Sequence, residues 1–295
     1  MAGDLIVRDS TRVTRRFHAL VGHPTRGRAV DLGAYPFAGD PRDYDGLGYE
    51  TVSVHTHLGN MPAWLVTGSR DTWVVFVPGM AAGRSEALRA MPTIAALHYP
   101  MLAISYRNGP GAPPSKDRLY HLGMSEWEDL QAAIRYALTH GARRVVLYGI
   151  SMGGSIIADL LDRSVLDYDV AGVILDAPVL DWDAAVQLAA HGRHVPKVLT
   201  AIAEGIVTRR IQFRWNGHEG KVRPEEFQVP VLLYHGTADA TVPIAASESL
   251  AAALGGRVTF VRTPDAGHVQ SWNFDPDGYG RTLRTWLSRV IADSL

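Results

Sequence analysis

The sequence predicts an α/β protein: a doubly wound, mostly parallel sheet of eight strands with a helical cap inserted between two of them. Three observations lead to this prediction. Short apolar or β-branched runs recur along the chain, segments with helical periodicity separate the later runs, and the stretch 181–228 breaks this alternation. The composition is that of a folded globular chain, because 46% of the 295 residues are hydrophobic and 20% are charged.

Eight segments have the pattern of β-strands. The first, 50–57, alternates polar and apolar residues, as a strand with one face in solvent does. The later segments are apolar on both faces, which is typical of parallel strands covered by helices on each side. In chain order, the predicted strands are 50–57, 61–66, 72–77, 101–105, 145–150, 171–176, 230–235 and 257–262.

Three helices are clearest from the periodicity between and after these runs. One begins at Ser125, where Ser125 and Glu128 have the spacing of a capping box, and ends at Gly141. A second begins near Pro243 and ends at Gly255. A third helix at the carboxyl end has one apolar face, made of Leu283, Trp286, Leu287 and Val290.

These segments divide the chain into three parts. Residues 1–48 are rich in Arg, Gly, Pro and Asp and have weak periodicity, so we expect an N-terminal arm that lies on the main domain. Residues 49–180 and 229–295 form the α/β core. Residues 181–228 have the character of helices without a strong strand, and we expect them to form a helical cap over the strand ends.

Charge and composition exclude several classes of function. Lys and Arg number 29 against 30 Asp and Glu, so the net charge of -1 gives no long-range attraction to nucleic acid. The absence of cysteine excludes disulfides and thiolate chemistry. No stretch approaches the ~20 apolar residues of a membrane span, and the amino end has only the short apolar run 5–7. We expect a cytoplasmic protein with no membrane span; the oligomeric state stays open.

The strongest motif is Gly149-Ile150-Ser151-Met152-Gly153, a G-x-S-x-G pattern with a predicted strand before it and a predicted helix after it. A serine at such a sharp turn is raised above the sheet, and Gly149 and Gly153 let the strand and the helix approach closely. The first N–H groups of the helix, including that of Met152, then point towards any nearby oxyanion. Ser151 is therefore the candidate nucleophile.

A serine hydroxyl needs a base to accept its proton and a carboxylate to orient that base. For this motif the order along the chain is serine, acid, histidine. Asp239 follows the predicted strand 230–235, and His268 follows the last predicted strand, so both lie at the same edge of the sheet as Ser151. The sequence predicts a Ser151–His268–Asp239 triad.

Other acidic residues compete for the role of the third member. Asp176 and Asp181 follow the predicted strand 171–176 and are alternative acids. Asp265 is close to His268 in sequence, but we expect it to shape the turn there. Asp239 itself has a second interpretation as a cap of the helix near Pro243.

The loop after the predicted strand 72–77 is the candidate source of a second oxyanion donor. It has the sequence Pro78-Gly79-Met80-Ala81-Ala82-Gly83. Gly79 permits a tight turn, and we expect the backbone N–H groups of Met80 and Met152 to form the oxyanion hole.

The Gly149–Gly153 motif and the segments His235–Pro243 and Ala266–His268 together resemble the α/β-hydrolase superfamily over residues 50–295. The segment Ser105–Pro113 resembles a loop of its serine esterase and peptidase-like members. Many members have His-Gly where this chain has Pro78-Gly79. The resemblance implies hydrolysis of an ester, thioester or amide through an acyl-serine intermediate. Dehalogenases of this superfamily normally have aspartate as nucleophile, so a serine at position 151 disfavours that branch.

Three functions remain from this reasoning. The leading one is a serine hydrolase acting on a small or medium carboxylic ester. The second is an aminopeptidase or amidase with the same triad, in which acidic residues of the cap such as Asp181, Asp183 and Glu204 hold the amine, or a thioesterase with that triad. The third is a binding protein that keeps the fold without catalysis.

The remaining polar clusters predict no metal and no cofactor. Neither pair of closely spaced histidines has an evident third ligand, and Gly109-Pro110-Gly111 lacks the Gly-Lys-Ser/Thr of a nucleotide-binding loop. Three arginines of the cap form a solvated face or hold a substrate carboxylate. The histidines are His55, His57, His191 and His194, and the arginines are Arg209, Arg210 and Arg214. The expected partner is a small-molecule acyl substrate.

Overall fold

The computed structural model describes residues 2–8, 13–17, 23, 25–27, 39–166, 169–215, 217 and 220–292. The chain divides into two compact units, Met1–Pro36 and Phe37–Leu295. In the first unit, strands β1 (Ala2–Arg8) and β2 (Val13–Phe17) pair antiparallel. The second unit contains the main sheet and all the helices given below.

The main sheet has eight strands, as predicted, in the order β10-β9-β8-β7-β5-β6-β4-β3. The β3–β4 and β4–β6 pairs are antiparallel, and all other pairs are parallel. Each strand begins and ends within one or two residues of its predicted bounds. The strands are β3 (Glu50–Thr56), β4 (Gly59–Val66), β5 (Thr72–Val77), β6 (Met101–Ile104), β7 (Arg144–Ile150), β8 (Val170–Asp176), β9 (Val231–Gly236) and β10 (Val258–Thr263).

Nine α-helices lie in the described residues of this unit, and most alternate with the strands. Helices α5 and α6 follow each other between β8 and β9. The helices are α1 (Pro41–Asp45), α2 (Met91–Ala96), α3 (Trp127–Thr139), α4 (Met152–Arg163), α5 (Trp182–Gly192), α6 (Lys197–Ile211), α7 (Ile244–Leu254), α8 (Ser271–Phe274) and α9 (Pro276–Ala292).

The core lies on both faces of the sheet, because successive side chains of the central strands point to opposite sides. On one face, Val75 and Leu147 belong to an apolar cluster with residues of α3, α4 and α7. On the other face, Val74 and Val146 belong to a second cluster with residues of α2 and α9. Strands β5 to β9 are buried along their whole length apart from the first residue of β7. This is the doubly wound α/β arrangement that the sequence predicts.

The predicted capping box at the start of α3 is wrong. The helix begins at Trp127 without a side-chain cap. Arg107 donates to the Glu128 carboxylate at 2.9 Å, and Glu128 makes no capping hydrogen bond to the backbone. The preceding Glu126 is buried, and its carboxylate accepts the N–H of His121 at 2.7 Å. Tertiary partners have therefore replaced the local cap.

Helix α4 carries an acidic side chain that is nearly buried. The Asp159 side chain is only 10% exposed, and its carboxylate is 3.0 Å from the Arg163 guanidinium. Burial raises the pKa of Asp159 to about 7, and the nearby Arg163 offsets this effect only in part. Ionised Asp159 therefore opposes folding at neutral pH.

Replacing Asp159 by asparagine should stabilise the protein increasingly as the pH rises. Below pH 4 the carboxyl is protonated in both the folded and the unfolded chain. Between pH 4 and 7 only the unfolded chain loses its proton, so wild-type stability falls, and the full loss persists above pH 7. Urea unfolding at pH 4.5 and 8 should show a gain for Asp159→Asn that grows by on the order of 1–3 kcal/mol. Asp162→Asn, on the same helix, is the control. An equal gain in the free energy of unfolding for D159N at both pH values would contradict the assignment of a raised pKa to Asp159.

Candidate active site

Ser151 occupies a strained turn between β7 and α4. Its backbone angles are φ 53° and ψ -118°, a region that costs a residue with a side chain on the order of 1–3 kcal/mol. A Cβ added to Gly149 would lie 2.6 Å from the carbonyl oxygen of Gly153, and one added to Gly153 would overlap the carbonyl oxygen of Val77. The two glycines therefore allow the close crossing that holds Ser151 in this conformation.

The turn lies where ligands bind in open α/β sheets. Ser151 follows β7, and the loop after β5 follows the neighbouring strand, so both begin at the carboxyl edge of the sheet. The connection from β5 leads to β6 on one side, while β7 lies on the other side of β5. Such a reversal leaves a crevice at the strand ends.

His268 bridges Ser151 and Asp239. Its Nε2 atom is 2.9 Å from Ser151 Oγ, and its Nδ1 atom is 2.7 Å from Asp239 Oδ2. An ionised carboxylate only accepts hydrogen bonds, so Nδ1 carries the proton. In the neutral imidazole, Nε2 is then the acceptor for the Ser151 hydroxyl. The three side chains singled out in the sequence thus form one continuous hydrogen-bonded chain.

The Asp239 carboxylate is fully buried and receives hydrogen bonds at both oxygens. Oδ1 accepts the N–H groups of Thr241 and Val242, each at 2.8 Å. Burial alone would raise the pKa of Asp239, but hydrogen bonds from His235 and His268 and the other nearby donors outweigh it. The pKa therefore lies below its usual value, and Asp239 stays ionised opposite His268.

A second histidine against Asp239 was missed from the sequence. His235 is fully buried at the end of β9, and its Nε2 lies 3.3 Å from Asp239 Oδ2 and 3.1 Å from the carbonyl oxygen of Val242. Its Nδ1 is 2.8 Å from Ser247 Oγ. The spacing of four residues before Asp239 was the available signal, but a strand followed by a turn gives no fixed contact at that spacing.

The competing acids lie elsewhere in the site region. Asp176 accepts the Tyr279 hydroxyl at 2.9 Å and faces Arg89 at 3.8 Å. Asp181 accepts the N–H of Ala184 at the start of α5. Neither makes a hydrogen bond to His268 in the described part of the chain.

Asp265 lies in the turn before His268. It has φ 58°, and its N–H donates to Thr237 Oγ1 at 3.0 Å. This position agrees with a role in shaping the turn. The interpretation of Asp239 as a helix cap is wrong, because α7 begins after Pro243 without a side-chain cap. Asp239 Oδ1 instead accepts N–H groups of the turn before α7, while Oδ2 binds His268.

The two candidate oxyanion donors flank Ser151. Met152 is the first residue of α4, where an N–H has no partner within the helix. Met80 lies in the loop after β5, and a Cβ on the preceding Gly79 would be 3.4 Å from Ser151 Cβ. The loop carrying Met80 therefore packs against Ser151.

The short 3-10 helix Arg84–Arg89, which was not predicted from the sequence, supports two loops of the site. Its Glu86 accepts the N–H of Gly79 at 2.8 Å, and its Arg89 donates to the carbonyl oxygen of Val269 at 2.9 Å. Both side chains are buried. One element thus fixes the loop after β5 and the loop that carries His268.

The weaker sequence candidates are dispersed. His55 Nδ1 is 3.0 Å from Asn60 Oδ1, and His57 lies 3.8 Å from Glu128. Within the described ranges, no three histidine or acidic side chains are placed to hold a metal ion. His191 and His194 are exposed near the end of α5, and the side chains of Arg209, Arg210 and Arg214 are exposed as well. None of the helices in the described residues is long and apolar enough to cross a bilayer.

Comparison with solved structures identifies the fold. An esterase from Pyrococcus furiosus superposes with a TM-score of 0.66 at 18% identity, covering 85% of this chain and 96% of that one. An esterase from Thermogutta terrifontis gives 0.56 at 18%, covering 82% and 99%. An esterase from a Rhodococcus species gives 0.55 at 17%, covering 82% and 99%. The chain has the α/β-hydrolase fold.

Sequence comparison identifies the family. A search of curated proteins found no match to this chain. Residues 115–293, more than half of the chain, match the prolyl oligopeptidase family. This range contains Ser151, Asp239 and His268. The chain is therefore a member of the prolyl oligopeptidase family of hydrolases.

Proposed function

We propose that this protein is a serine hydrolase that cleaves small or medium carboxylic esters through an acyl-serine intermediate. Ser151 is the nucleophile, His268 the general base and acid, and Asp239 the residue that orients His268. The observation that carries this proposal is the pair of contacts of His268, at 2.9 Å to Ser151 Oγ and 2.7 Å to Asp239 Oδ2. A nucleophile, a base within hydrogen-bonding distance and a group that fixes the base are what acyl transfer requires.

Acylation begins when His268 Nε2 accepts the proton of Ser151 as Oγ bonds to the ester carbonyl carbon. The carbonyl oxygen becomes an oxyanion and accepts the N–H groups of Met80 and Met152. Its collapse breaks the bond to the leaving alcohol, which takes the proton from Nε2. The ionised Asp239 stabilises the imidazolium that exists between these two steps.

Deacylation repeats the cycle with water. His268 Nε2 accepts a proton from a water molecule, whose oxygen attacks the acyl carbon. The second oxyanion collapses, Ser151 Oγ leaves with the proton from Nε2, and the carboxylic acid is released. The 16% exposure of the His268 side chain is compatible with the access that water needs.

We further propose that residues 181–228 form a cap that selects the acyl group, with 49–180 and 229–295 as the catalytic core and 1–48 as an N-terminal arm. Helix α6 supports this assignment because several large apolar side chains on it are exposed, among them Ile202 at 54% and Ile206 at 55%. A cytoplasmic location is part of the same proposal.

The nucleophile is tested by covalent labelling. A fluorophosphonate probe should modify Ser151 in the wild-type protein, and Ser151→Ala should abolish both labelling and ester turnover, because no other serine of the described residues is hydrogen-bonded to His268. Ser155→Ala is the matched control, since the Ser155 hydroxyl donates to the carbonyl oxygen of Val179 at 2.6 Å and remains away from His268. Labelling that survives in S151A at the same rate would refute the assignment.

The acid is tested by Asp239→Asn. An amide does not fix the Nδ1–H tautomer or stabilise the imidazolium, so kcat should fall by ~10⁴ if the enzyme behaves as serine proteases do. Asp265→Asn, also in the His268 region but without a contact to the imidazole, should retain activity. If D239N turned over esters as fast as the wild-type protein, a residue other than Asp239 would be the acid of the triad.

A peptidase or amidase is the second candidate, favoured by the family to which the chain belongs. Two carboxylates of the cap, those of Asp183 and Glu204, could bind the amine of such a substrate. Burial and the negative charge of Asp183 raise the pKa of Glu204, which accepts Gln187 at 2.7 Å. A protonated amine would relieve this repulsion.

Paired substrates separate the two candidates. We expect p-nitrophenyl acyl esters to be turned over with a higher kcat/KM than aminoacyl p-nitroanilides, and Glu204→Gln to change KM for neither series. A KM increase in E204Q confined to the aminoacyl substrates would instead support the peptidase. Thioesters of the preferred acyl group complete the panel. Tight ligand binding without any acylation of the wild-type protein would leave only the binding-protein alternative.

A further inference from the structure

A buried tyrosine holds the backbone of the loop that carries Met80. Tyr106 lies two residues after β6, and only 2% of its surface is exposed. Its hydroxyl donates to the carbonyl oxygen of Gly79 at 2.6 Å, at the short end of the range for such bonds. A hydrogen bond of this kind is stronger inside the protein than in water, because the surroundings have a low dielectric constant.

The accepting carbonyl belongs to the peptide that contains the Met80 N–H. No peptide bond in the described residues is cis. The C=O of Gly79 and the N–H of Met80 therefore lie in one peptide plane and point in opposite directions. Fixing the direction of the Gly79 carbonyl therefore fixes the direction of the Met80 N–H. The same hydrogen bond polarises the peptide and makes this N–H a stronger donor.

The loop needs such an external constraint because its own conformation is strained. Ala82 N–H closes a turn onto the Gly79 carbonyl at a longer 3.3 Å, and Ala81 has φ 58°, a value unfavourable for a residue with a side chain. Glu86 holds the other peptide of Gly79 by accepting its N–H at 2.8 Å. Two buried side chains thus hold Gly79: Glu86 accepts its N–H, and Tyr106 donates to its C=O.

We propose that Tyr106 is a positioning residue of the oxyanion hole, which orients and polarises the Gly79–Met80 peptide so that the Met80 N–H meets the developing oxyanion. This inference rests on the proposed function, because it assigns a task only if an oxyanion forms at Ser151. Tyr106 itself touches no reacting atom, since its hydroxyl is engaged by Gly79. It acts on the charge that appears in the transition state and leaves ground-state binding of the ester unchanged.

The test is Tyr106→Phe, which removes the hydroxyl and keeps the buried ring. We expect kcat for p-nitrophenyl esters to fall by about 10- to 100-fold, less than the ~10²–10³ expected for loss of a donor itself, with little change in KM. Affinity for a trifluoromethyl ketone, which forms an oxyanion on Ser151, should fall by the same factor as kcat/KM. Binding of the carboxylic acid product should not change. The acid limb of the pH profile should keep its midpoint, because the environment of His268 is intact.

Tyr234→Phe is the matched control. Tyr234 is 1% exposed, and its hydroxyl also donates to a backbone carbonyl, that of Tyr279 at 3.1 Å, away from the Met80 loop. Its loss should lower stability to a similar extent but leave kcat and ketone affinity unchanged.

A second pair of variants, at Glu86, tests whether ketone affinity depends on the hydrogen bonds that hold Gly79. Glu86→Gln keeps an acceptor for the Gly79 N–H and should retain most of the ketone affinity, whereas Glu86→Leu removes the acceptor and should lose it. Equal kcat and ketone affinity in Tyr106→Phe and wild type would overturn the inference while the triad stands. A wild-type protein that neither turns over esters nor binds the ketone covalently would overturn the proposed function, and the inference with it.

Discussion

The close crossing of strand β7 and helix α4 is the constraint on which the site depends. Ser151 keeps a positive φ only because the backbone on both sides is fixed: its N–H donates to the carbonyl oxygen of Asp176 at 3.0 Å, and its own carbonyl accepts Val179 N–H at 3.0 Å. Any side chain at Gly149 or Gly153 would push the helix off the strand. The position of the hydroxyl is thus set by the packing of β7 against α4 and by backbone hydrogen bonds to the end of β8 and to the loop that follows it.

The remaining parts of the site are fixed by buried polar contacts that converge on this turn. Four hydrogen-bond contacts to Asp239 keep its carboxylate ionised and hold His268 in one tautomer. Glu86 and Tyr106 hold Gly79 beside Ser151. Buried polar groups are stable only when they are paired, so each of these contacts both satisfies a buried atom and places a group of the site. The fold and the candidate site therefore depend on the same hydrogen bonds.

Much of this could be predicted from the sequence because the signals are local. The run 72–77 is apolar throughout, and β5 spans Thr72–Val77. The residues Ser151, Asp239 and His268 follow strands whose ends must meet at one edge, so their proximity follows from topology. The prediction of a capping box at Ser125 was wrong because a non-local contact replaced the local one: Arg107, which is distant in sequence, binds Glu128. His235, Glu86 and Tyr106 were missed because only the folded chain brings them to Asp239 and Gly79.

A crystal structure of the protein with an alkyl trifluoromethyl ketone would test directly whether Ser151 bonds to a carbonyl carbon opposite the N–H groups of Met80 and Met152. We expect a covalent bond from Ser151 Oγ to the carbonyl carbon, with the oxyanion about 2.7–3.1 Å from the N–H nitrogens of Met80 and Met152, and His268 still hydrogen-bonded to Asp239. An inhibitor bound to a different residue, or an oxyanion directed to solvent while both N–H groups bind other partners, would contradict this expectation.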